Sequence, residues 1–218
     1  SNHAGRLSDK MSSELGIALF GAVPGIFLFM EDFMKNMKVT LVPLTEDDRE
    51  QFILDNQWAF KYGSTEEFGM RNNQFEEEGE IISRRTIEDS IDKGEAYRII
   101  CDGERAGGAV IHTDGTRGEL DLLFTLPEAH SKGIGYTAWC EIERLHPEVE
   151  VWETLTPYFE TRNIHFYVNK CGFHIVEFFN PFHPEPCHTD SKECDEDGPE
   201  DDGTGGTGLD FRFEKRMK

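Results

Sequence analysis

One stretch of the chain, residues 119–136 with the sequence ELDLLFTLPEAHSKGIGY, restricts the possible folds more than any other. It opens with an apolar run bounded by Gly118 and Pro127, which is typical of a short buried strand. A small polar turn follows, and Gly133 and Gly135 then open a segment with helical spacing. The apolar residues of that segment are Ile134, Ala138, Ile142 and Leu145. The stretch therefore predicts a strand, a glycine-containing turn and a helix.

A turn of this kind points backbone N–H groups at the space in front of the helix. The first turn of a helix has N–H donors without intrahelical partners and the positive end of the helix dipole, and glycine lets a phosphate approach the main chain. Tight packing of the helix on the strand explains the two glycines about equally well. The nucleotide motifs G-x-x-x-x-G-K-[ST] and G-x-G-x-x-G are both absent from the sequence.

Three short motifs resemble those of one family. His130–Gly135, HSKGIG, resembles the [QR]-x-x-G-x-[GA] acetyl-CoA signature of the GNAT superfamily of N-acetyltransferases, and Thr125–Glu128, TLPE, is similar to the V-x-P-E that ends the family's fourth strand. Phe166–Phe173, FYVNKCGF, resembles the family's F-Y-x-x-K-x-G-F segment, and residues 161–173 look like an uncharacterised bacterial subgroup. His130 departs from the usual Gln or Arg. Because such a turn works mainly through backbone N–H groups, this predicts weakened or altered pyrophosphate contact rather than its loss.

The resemblance implies an α+β fold over residues 37–218, with a mixed, mostly antiparallel central sheet of about seven strands and helices on both faces. The residue patterns agree with that layout, and Asp102–Arg105 predicts a hairpin turn. Besides the central strand, strands are predicted at 39–44, 97–101, 106–112, 149–155, 173–179 and 209–216, and helices after Thr45, at 84–91, at 134–146 and at 161–170.

Two segments lie outside this pattern. Residues 1–36 are predicted to be a tag or extension, whose apolar stretch at 15–30 is shorter than a membrane span and is interrupted by Pro24. Residues 181–208 are rich in proline, glycine and acidic residues, which predicts an acidic loop. The sequence thus predicts a single domain, residues 37–218, preceded by a short extension.

Charge and cysteine content limit the partners and the compartment. With 43 acidic and 22 basic residues, the net charge of −21 argues against nucleic acid or an anionic membrane as a partner, and it weakly favours a cationic substrate. The five cysteines are odd in number and widely spaced, so a secreted disulfide framework is not indicated and the cytoplasm is the predicted compartment. A homodimer is compatible with the sequence.

Acetyl transfer from a thioester to an amine needs a base for the amine, a donor for the carbonyl oxygen and an acid for the departing thiolate. The resemblance implies Tyr167 as the acid, since the family's tyrosine at this place lies near the thioester sulfur. Glu119 is the predicted base. It precedes His130 by eleven residues, the spacing at which histone-acetylating members place their catalytic glutamate. Strand alternation puts Glu119, Asp121 and Leu123 on one face, and the further candidates for the base are Asp121 and Glu153.

The resemblance also implies the residues that hold acetyl-CoA, with the central strand pairing to the pantetheine arm and the turn holding the pyrophosphate. The predicted set is Leu123, Phe124, Thr125, His130, Ser131, Lys132, Gly133, Ile134, Gly135, Tyr136 and Asn163. Asn163 is offset by three residues from the place where the family often has Asn, which is Glu160 here. The aromatic residues Trp58, Phe60, Tyr62 and Phe68 either line the acceptor site or belong to the core.

No metal is expected. His183, Cys187, His188 and Cys194 are close in sequence, but their spacing fits no standard zinc pattern, and the acidic loop lacks the EF-hand repeat. Cys171 is not predicted to be a nucleophile, because it lies in the cofactor-side motif with no obvious base beyond His165 or His174.

The sequence therefore predicts an acetyltransferase that moves acetyl from acetyl-CoA to a primary amine by direct attack in a ternary complex. The acceptor is left open between a polyamine-like molecule, an amino acid, an aminoglycoside-like compound and a protein amine. The alternative is a catalytically inactive module of the same fold that binds acyl-CoA and a protein partner.

Overall fold

The computed structural model describes residues 38–68, 80–130, 132–186 and 209–218, the side chains of 64–68 excepted. In these ranges seven strands form one sheet in the order β1-β2-β3-β4-β5-β7-β6. The strands are β1 Val39–Pro43, β2 Glu95–Cys101, β3 Glu104–Asp114, β4 Arg117–Thr125, β5 Val151–Pro157, β6 His174–Phe179 and β7 Asp210–Arg216. Every neighbouring pair is antiparallel except β4 and β5, which run parallel. The predicted fold class is confirmed.

Helices pack on both faces of the sheet. They are α1 Glu46–Phe68, α2 Arg84–Lys93, α3 Ile134–Leu145 and α4 Thr161–His165, with a one-turn 3₁₀ helix at Pro127–Ala129. Phe52 of α1 and Ile87 of α2 share a buried cluster with Phe124 of β4. On the other face, Trp139 of α3 shares a second cluster with Trp152 of β5. Full burial of one such side chain contributes about 1.5–3 kcal/mol, so the two clusters fix the helices on the sheet.

A β-bulge in the central strand corrects one prediction. The register of β3 and β4 skips Asp121, because Ile111 pairs with Leu120 while Val110 pairs with Leu122. The extra residue reverses the alternation of the strand. Leu123 consequently packs on the α3 side of the sheet. The Asp121 side chain lies on the opposite side, where it accepts a hydrogen bond from Ser90 of α2. The prediction that Leu123 shares a face with Asp121 is therefore wrong.

Three helices differ in detail from the sequence patterns. The first runs from Glu46 to Phe68 and so contains all four positions of the aromatic set, Trp58, Phe60, Tyr62 and Phe68. In α3 the buried stripe contains Trp139, while Leu145 is 42% exposed at the end of the helix. The predicted helix at 161–170 begins as α4 and continues as a π-helical turn over Phe166–Cys171, ended by Gly172 at a φ of 79°. A residue inserted into the ladder in this way re-aims the side chains that follow, a feature often seen at functional sites.

The last strand in the sequence, β7, is not an edge strand of the sheet. β7 lies between β5 and β6, so β6 forms the edge of the sheet. No helix in the described part of the chain combines the length and apolar character needed to span a membrane. The extension at 1–36 and most of the acidic loop, residues 187–208, lie outside the described residues.

Candidate active site

The two parallel strands, β4 and β5, are paired over only a short length and then separate. Their register covers three pairs and ends where Glu119 of β4 faces Glu153 of β5. Beyond this point β4 continues to Thr125 paired with β3 alone. The bulge at Asp121 lies at the point of separation, and bulges bend and twist the strand that carries them. The result is a gap flanked on one side by backbone N–H and C=O groups of β4.

Thr154 marks the inner end of this gap. Its hydroxyl donates a hydrogen bond to the carbonyl oxygen of Leu120 at 2.8 Å. The side chain therefore bridges β5 to β4 one residue past the last backbone pair. Nothing in the sequence singled out this threonine, since it occurs in an ordinary alternating strand.

The glycine turn lies beyond the outer end of β4. Gly133 has a φ of 74° and directly precedes α3, so the chain turns into the helix through a left-handed residue. Gly133 has no side chain to cap the N–H groups of the first helical turn, which leaves them for an anion. At Gly135 an added methyl group would meet Phe166 and Thr125 at 3.7 Å, an ordinary contact distance. The geometry of the turn thus fits a phosphate group held by main-chain donors.

The two side chains of the turn that the structure describes, His130 and Lys132, bond to main-chain carbonyl groups of the protein. Nε2 of His130 donates to the carbonyl oxygen of Thr125 at 3.1 Å, and the imidazole ring makes an edge contact with Tyr62. Lys132 donates to the carbonyl oxygen of Glu128 at 2.8 Å. Ser131 lies outside the described residues. An anion at this turn would therefore meet backbone groups first.

Tyr167 lies on the π-helical turn and is buried against the sheet. Its ring contacts Phe166, Phe173 and Phe213. Burial raises the pKa of the Tyr167 phenol far above its ordinary value, while a hydrogen bond with the Thr154 side chain acts in the opposite direction. The phenol is accordingly a neutral proton donor.

Asn163 and Glu160, the two positions weighed for a cofactor contact, lie close to this turn in the chain. Asn163 is exposed on α4, one helical turn before Tyr167. Glu160 occupies the position just before α4. Cys171 is buried on the same turn, and burial raises the pKa of its thiol to about 12, which disfavours the thiolate a nucleophile requires.

A pocket of about 290 Å³ opens on the other face of the sheet, beside the end of the parallel pair. Glu153 and Arg212 alternate along their strands with Trp152 and Phe213 of the α3-side cluster, so the two charged residues face away from that cluster. The pocket is lined by Arg117, Glu119, Glu153, Thr154, Leu155, Glu177, Phe179, Glu185, Pro186 and Arg212.

A chain of ion pairs, which we call the pocket network, joins the strands under this pocket. Glu153 pairs with Arg117 and, at 2.7 Å, with Arg212. Arg212 also pairs with Glu177 at 2.9 Å, and Glu177 accepts from His183 at 2.8 Å. His183 and Arg212 lower the pKa of the Glu177 carboxyl. No short motif in the sequence indicates this network, because its members lie far apart in the chain.

The three candidate bases differ in their surroundings. Asp121 is turned toward α2, where it bonds Ser90 and, at 3.2 Å, Nε2 of His112. Glu153 is held by two arginines. Glu119 lines the pocket from the last position of the parallel pair, with an exposed side chain. Of the three, Glu119 is placed best to meet a substrate that enters the pocket.

The aromatic residues of α1 divide between several surroundings. Trp58 is 46% exposed, and Phe60 packs against the α1–α2 cluster. Tyr62 contacts His130, and the side chain of Phe68 is not described. In the described ranges, no three His, Cys, Asp or Glu side chains converge as metal ligands would. Cys187, His188 and Cys194 lie outside those ranges.

A family model and a curated relative each match more than half of the chain. The model of the acetyltransferase (GNAT) family matches residues 53–173. The uncharacterised protein YrkN of Bacillus subtilis (strain 168) is 43% identical over 186 residues, which is 83% of this chain and 95% of that protein.

Solved structures share the fold at low sequence identity. The PaiA N-acetyltransferase of Thermoplasma acidophilum, in complex with coenzyme A, has a TM-score of 0.56 and 18% identity over 83% of this chain and 99% of its own. A GNAT family acetyltransferase of Elizabethkingia anophelis with acetyl-CoA bound has a TM-score of 0.52 and 16% identity, over 82% and 98% of the two chains. At such identities the likeness concerns the fold.

Proposed function

The chain belongs to the GNAT family of acetyltransferases, and on that premise we propose that it transfers an acetyl group from acetyl-CoA directly to a primary amine. The observation that carries this proposal is the gap between β4 and β5, with the glycine turn at one end and Thr154 and Tyr167 at the other. Acetyl-CoA, when bound, supplies the thioester whose carbonyl carbon the amine attacks.

The backbone of β4 and the turn before α3 hold the donor substrate in this proposal. The N–H and C=O groups of Leu123, Phe124 and Thr125 on the gap side suit the amide groups of a pantetheine arm, and one N–H there polarises the thioester carbonyl. The N–H groups of the first turn of α3, after Gly133, hold the pyrophosphate. His130 contributes by fixing the turn to Thr125 rather than by direct contact.

Glu119 accepts the proton of the incoming amine. It lines the pocket where β4 and β5 separate, so an amine in the pocket can meet both the carboxylate and the gap. A positioned base of this kind contributes about 10²–10⁴-fold to the rate.

Tyr167 donates its proton to the departing sulfur. Its phenol is neutral throughout the physiological pH range, and burial raises its pKa further above that range. A neutral O–H is the form that a general acid requires.

The acceptor is a small cationic amine. Four glutamates and two arginines line the pocket, so the charge there is negative on balance and favours a cation. The pocket volume, about 290 Å³, is close to the lower end of the range for sites that bind small molecules. A polyamine-like molecule combines both properties.

Calorimetric titration with acetyl-CoA, followed by a thiol-release assay over a panel of amines, tests the proposal. We expect binding of acetyl-CoA and release of thiol that depends on a small cationic amine. Glu119→Gln should lower kcat by about 10²–10⁴-fold while acetyl-CoA still binds. Glu104→Gln, an exposed carboxylate on β3, is the matched control and should keep full activity.

The outcomes separate the alternatives. Binding of acetyl-CoA without thiol release from any amine would favour the inactive acyl-CoA-binding module. Failure to bind acetyl-CoA would overturn the assignment of the gap and of the glycine turn. Release with neutral or anionic amines in preference to cationic ones would refute the acceptor class alone.

A further inference from the structure

Three polar side chains meet at the bulge of β4. Asp121, the extra residue of the bulge, accepts a hydrogen bond from Ser90 of α2 and another, at 3.2 Å, from Nε2 of His112 on β3. Nδ1 of His112 lies 3.2 Å from the carbonyl oxygen of Lys93, the last residue of α2. These contacts, which we call the bulge cluster, therefore join α2, β3 and β4 at one residue.

The bulge cluster is not arranged for nucleophilic chemistry. Ser90 donates its hydroxyl proton to the Asp121 carboxylate rather than to the imidazole, so no base activates the Ser90 oxygen. The carboxylate is an acceptor, which makes Nε2 of His112 the donor in their contact. The Lys93 carbonyl belongs to the helix end, where carbonyl groups lack an intrahelical partner, and an imidazole that carries both protons donates to it as well. The cluster thus holds a side chain and a helix end in place.

The glycine at position 94 lets α2 end close to this imidazole. A Cβ atom there would lie 2.8 Å from Cε1 of His112 and 2.7 Å from the carbonyl oxygen of Ile111. Both distances are well inside van der Waals contact. The backbone of Gly94 is extended, with a φ of −117°, so lack of space rather than backbone conformation requires the glycine. The end of α2 is consequently packed directly on His112.

The same contacts explain why β4 bulges at Asp121. In a regular ladder Asp121 would take the place opposite Val110 that Leu122 now holds. Val110 is fully buried in the α1–α2 cluster, where a carboxylate would lose its hydration. The bulge gives that place to Leu122 and leaves the carboxylate with two hydrogen-bond donors, Ser90 and His112. The apolar residues that follow Asp121 would pack on either face, so their hydrophobicity alone does not select the bulge.

The bulge separates the two parts of β4 that the proposed reaction uses. Glu119, the assigned base, lies two residues before Asp121, and residues 123–125, assigned to the pantetheine arm, follow it. Loss of the bulge would move the second part by one residue, about 3.3 Å, relative to β3. A misplacement of about 1 Å already costs on the order of 10² in rate when reacting groups must be aligned.

We propose that Ser90 and His112, by holding Asp121, fix the bulge and thereby position the donor-binding part of β4 against Glu119 for acetyl transfer. The inference rests on the proposed function and adds two residues to it. Both act through Asp121 and touch no reacting atom, so they are positioning residues rather than catalytic ones.

Steady-state kinetics of two His112 variants test this role. We expect His112→Ala to lower kcat by about 10- to 100-fold, because the bulge loses one of its two side-chain donors. The KM for the amine should stay unchanged, since the three described side chains of the bulge cluster do not line the pocket. His112→Gln should restore most of kcat, because its amide nitrogen donates from nearly the same place as Nε2. Full kcat in His112→Ala would overturn the inference.

Thr113→Val is the matched control. Thr113 follows His112 on β3 and is exposed, and its hydroxyl donates to Glu95 at 3.3 Å on the opposite face of the sheet. The variant should keep full kcat, and a loss equal to that of His112→Ala would contradict the inference. The His112 and Asp121 side chains are 28% and 35% exposed, so truncation leaves no fully buried charge and the variants should fold. If His112→Ala does not fold, Ser90→Ala removes the other donor instead.

A double variant tests whether His112 acts through Asp121. In the Asp121→Ala protein the carboxylate that His112 holds is already absent. We therefore expect the addition of His112→Ala to cause no further fall in kcat. A further fall of about tenfold would show that His112 acts independently of Asp121 and would contradict the inference.

Amide hydrogen exchange measures the bulge without turnover. Loss of one hydrogen bond to a charged group should raise the exchange rates of the amides of residues 122–125 by about tenfold or more, both in Ser90→Ala and in His112→Ala. The amides of β7 should keep their rates, which separates local opening from global unfolding. Unchanged exchange in β4 would show that the bulge does not need the cluster, and would overturn the inference.

The two measurements also separate this inference from the proposed function. If the wild-type protein transfers acetyl to no amine, the function fails, whatever the exchange rates are. If it does transfer acetyl and His112→Ala keeps both kcat and the β4 exchange rates, the function stands and the inference alone fails. Faster exchange with full kcat would confine the cluster to stability and would also overturn its positioning role.

Discussion

Two networks of charged residues lie on the same face of the sheet and have different surroundings. Arg98 of β2, in what we call the covered network, bonds Asp48 at 2.7 Å and Asp55 at 2.9 Å, both on α1, and its guanidinium lies over the Phe52 ring. Arg212 of β7, in the pocket network, bonds carboxylates at similar distances.

The covered network and the pocket network differ in how far their side chains are buried. The Arg98 side chain is 4% exposed beneath α1, and that of Asp55 is 7% exposed. The Arg212 side chain is 30% exposed and lines the pocket. The buried ion pairs of the covered network therefore attach α1 to the sheet. The partly exposed ion pairs of the pocket network leave charged groups at the surface of the pocket. Desolvation makes removal of a single partner costly only in the first case.

The largest expected effect comes from breaking the covered network. Arg98→Ala leaves the Asp55 carboxylate buried, with Arg105 at 3.1 Å as a half-exposed neighbour. We expect the free energy of unfolding to fall by about 3–5 kcal/mol, measured by urea denaturation. Arg85→Ala, which removes an ion pair of a 91% exposed arginine, is the control and should leave the urea midpoint in place. Equal midpoints for the two variants would remove the distinction between the networks.

The next largest effect is the pH dependence of stability that the buried, neutral phenol of Tyr167 causes. The folded state raises the pKa of Tyr167, so above pH 10 the unfolded chain loses a proton that the folded chain keeps. The free energy of unfolding should fall by about 1.4 kcal/mol per pH unit from this group as the pH rises above 10. Tyr167→Phe should lack this part of the slope. Burial also raises the pKa of Tyr97, to about 12, but that term is common to both proteins and cancels.

Denaturation series between pH 9 and 11 measure how the free energy of unfolding changes with pH. Equal slopes for the wild type and Tyr167→Phe would show that the Tyr167 phenol titrates alike in the folded and unfolded states. The phenol would then be hydrated in the folded protein, and its assignment as a buried acid would fail.

The pocket network should affect substrate more than stability. We expect Arg212→Gln to change the free energy of unfolding by less than about 1 kcal/mol, since the side chain is partly exposed. For a cationic amine, KM should fall about two- to fivefold in Arg212→Gln and rise by a similar factor in Glu177→Gln. Steady-state kinetics at low salt measure both. Shifts of the same sign in the two variants would show that geometry, rather than charge, governs the acceptor.

The smallest effect is expected at His130, which belongs to neither network. Because its ring is turned to the Thr125 carbonyl and the anion meets backbone groups, His130→Ala should change the Kd for acetyl-CoA by less than about threefold. Calorimetry measures this, with His130→Gln as the comparison that carries the family's usual residue. A tenfold loss in the alanine variant alone would mean that the imidazole contacts the phosphate directly.

Local features of the fold were predictable because a few adjacent residues encode them. The apolar run of β4, the left-handed Gly133 and the start of α3 follow from short-range backbone preferences and from helical spacing. The motif that contains Tyr167 is equally local. These signals suffice for the fold class and for the family, and they locate the strand, turn and helix to which we assign the cofactor.

The tertiary structure decided the rest. Strand alternation alone could not reveal the bulge at Asp121, which sends Leu123 to the opposite face, because a bulge depends on pairing with β3. Thr154 meets Leu120 only after β5 has paired with β4, and Arg212 reaches Glu153 only after β7 has inserted beside β5. Side chains from separate strands form the pocket, so no short stretch of sequence predicts it. The turn before α3 is formed by consecutive residues, and a short motif therefore predicts it.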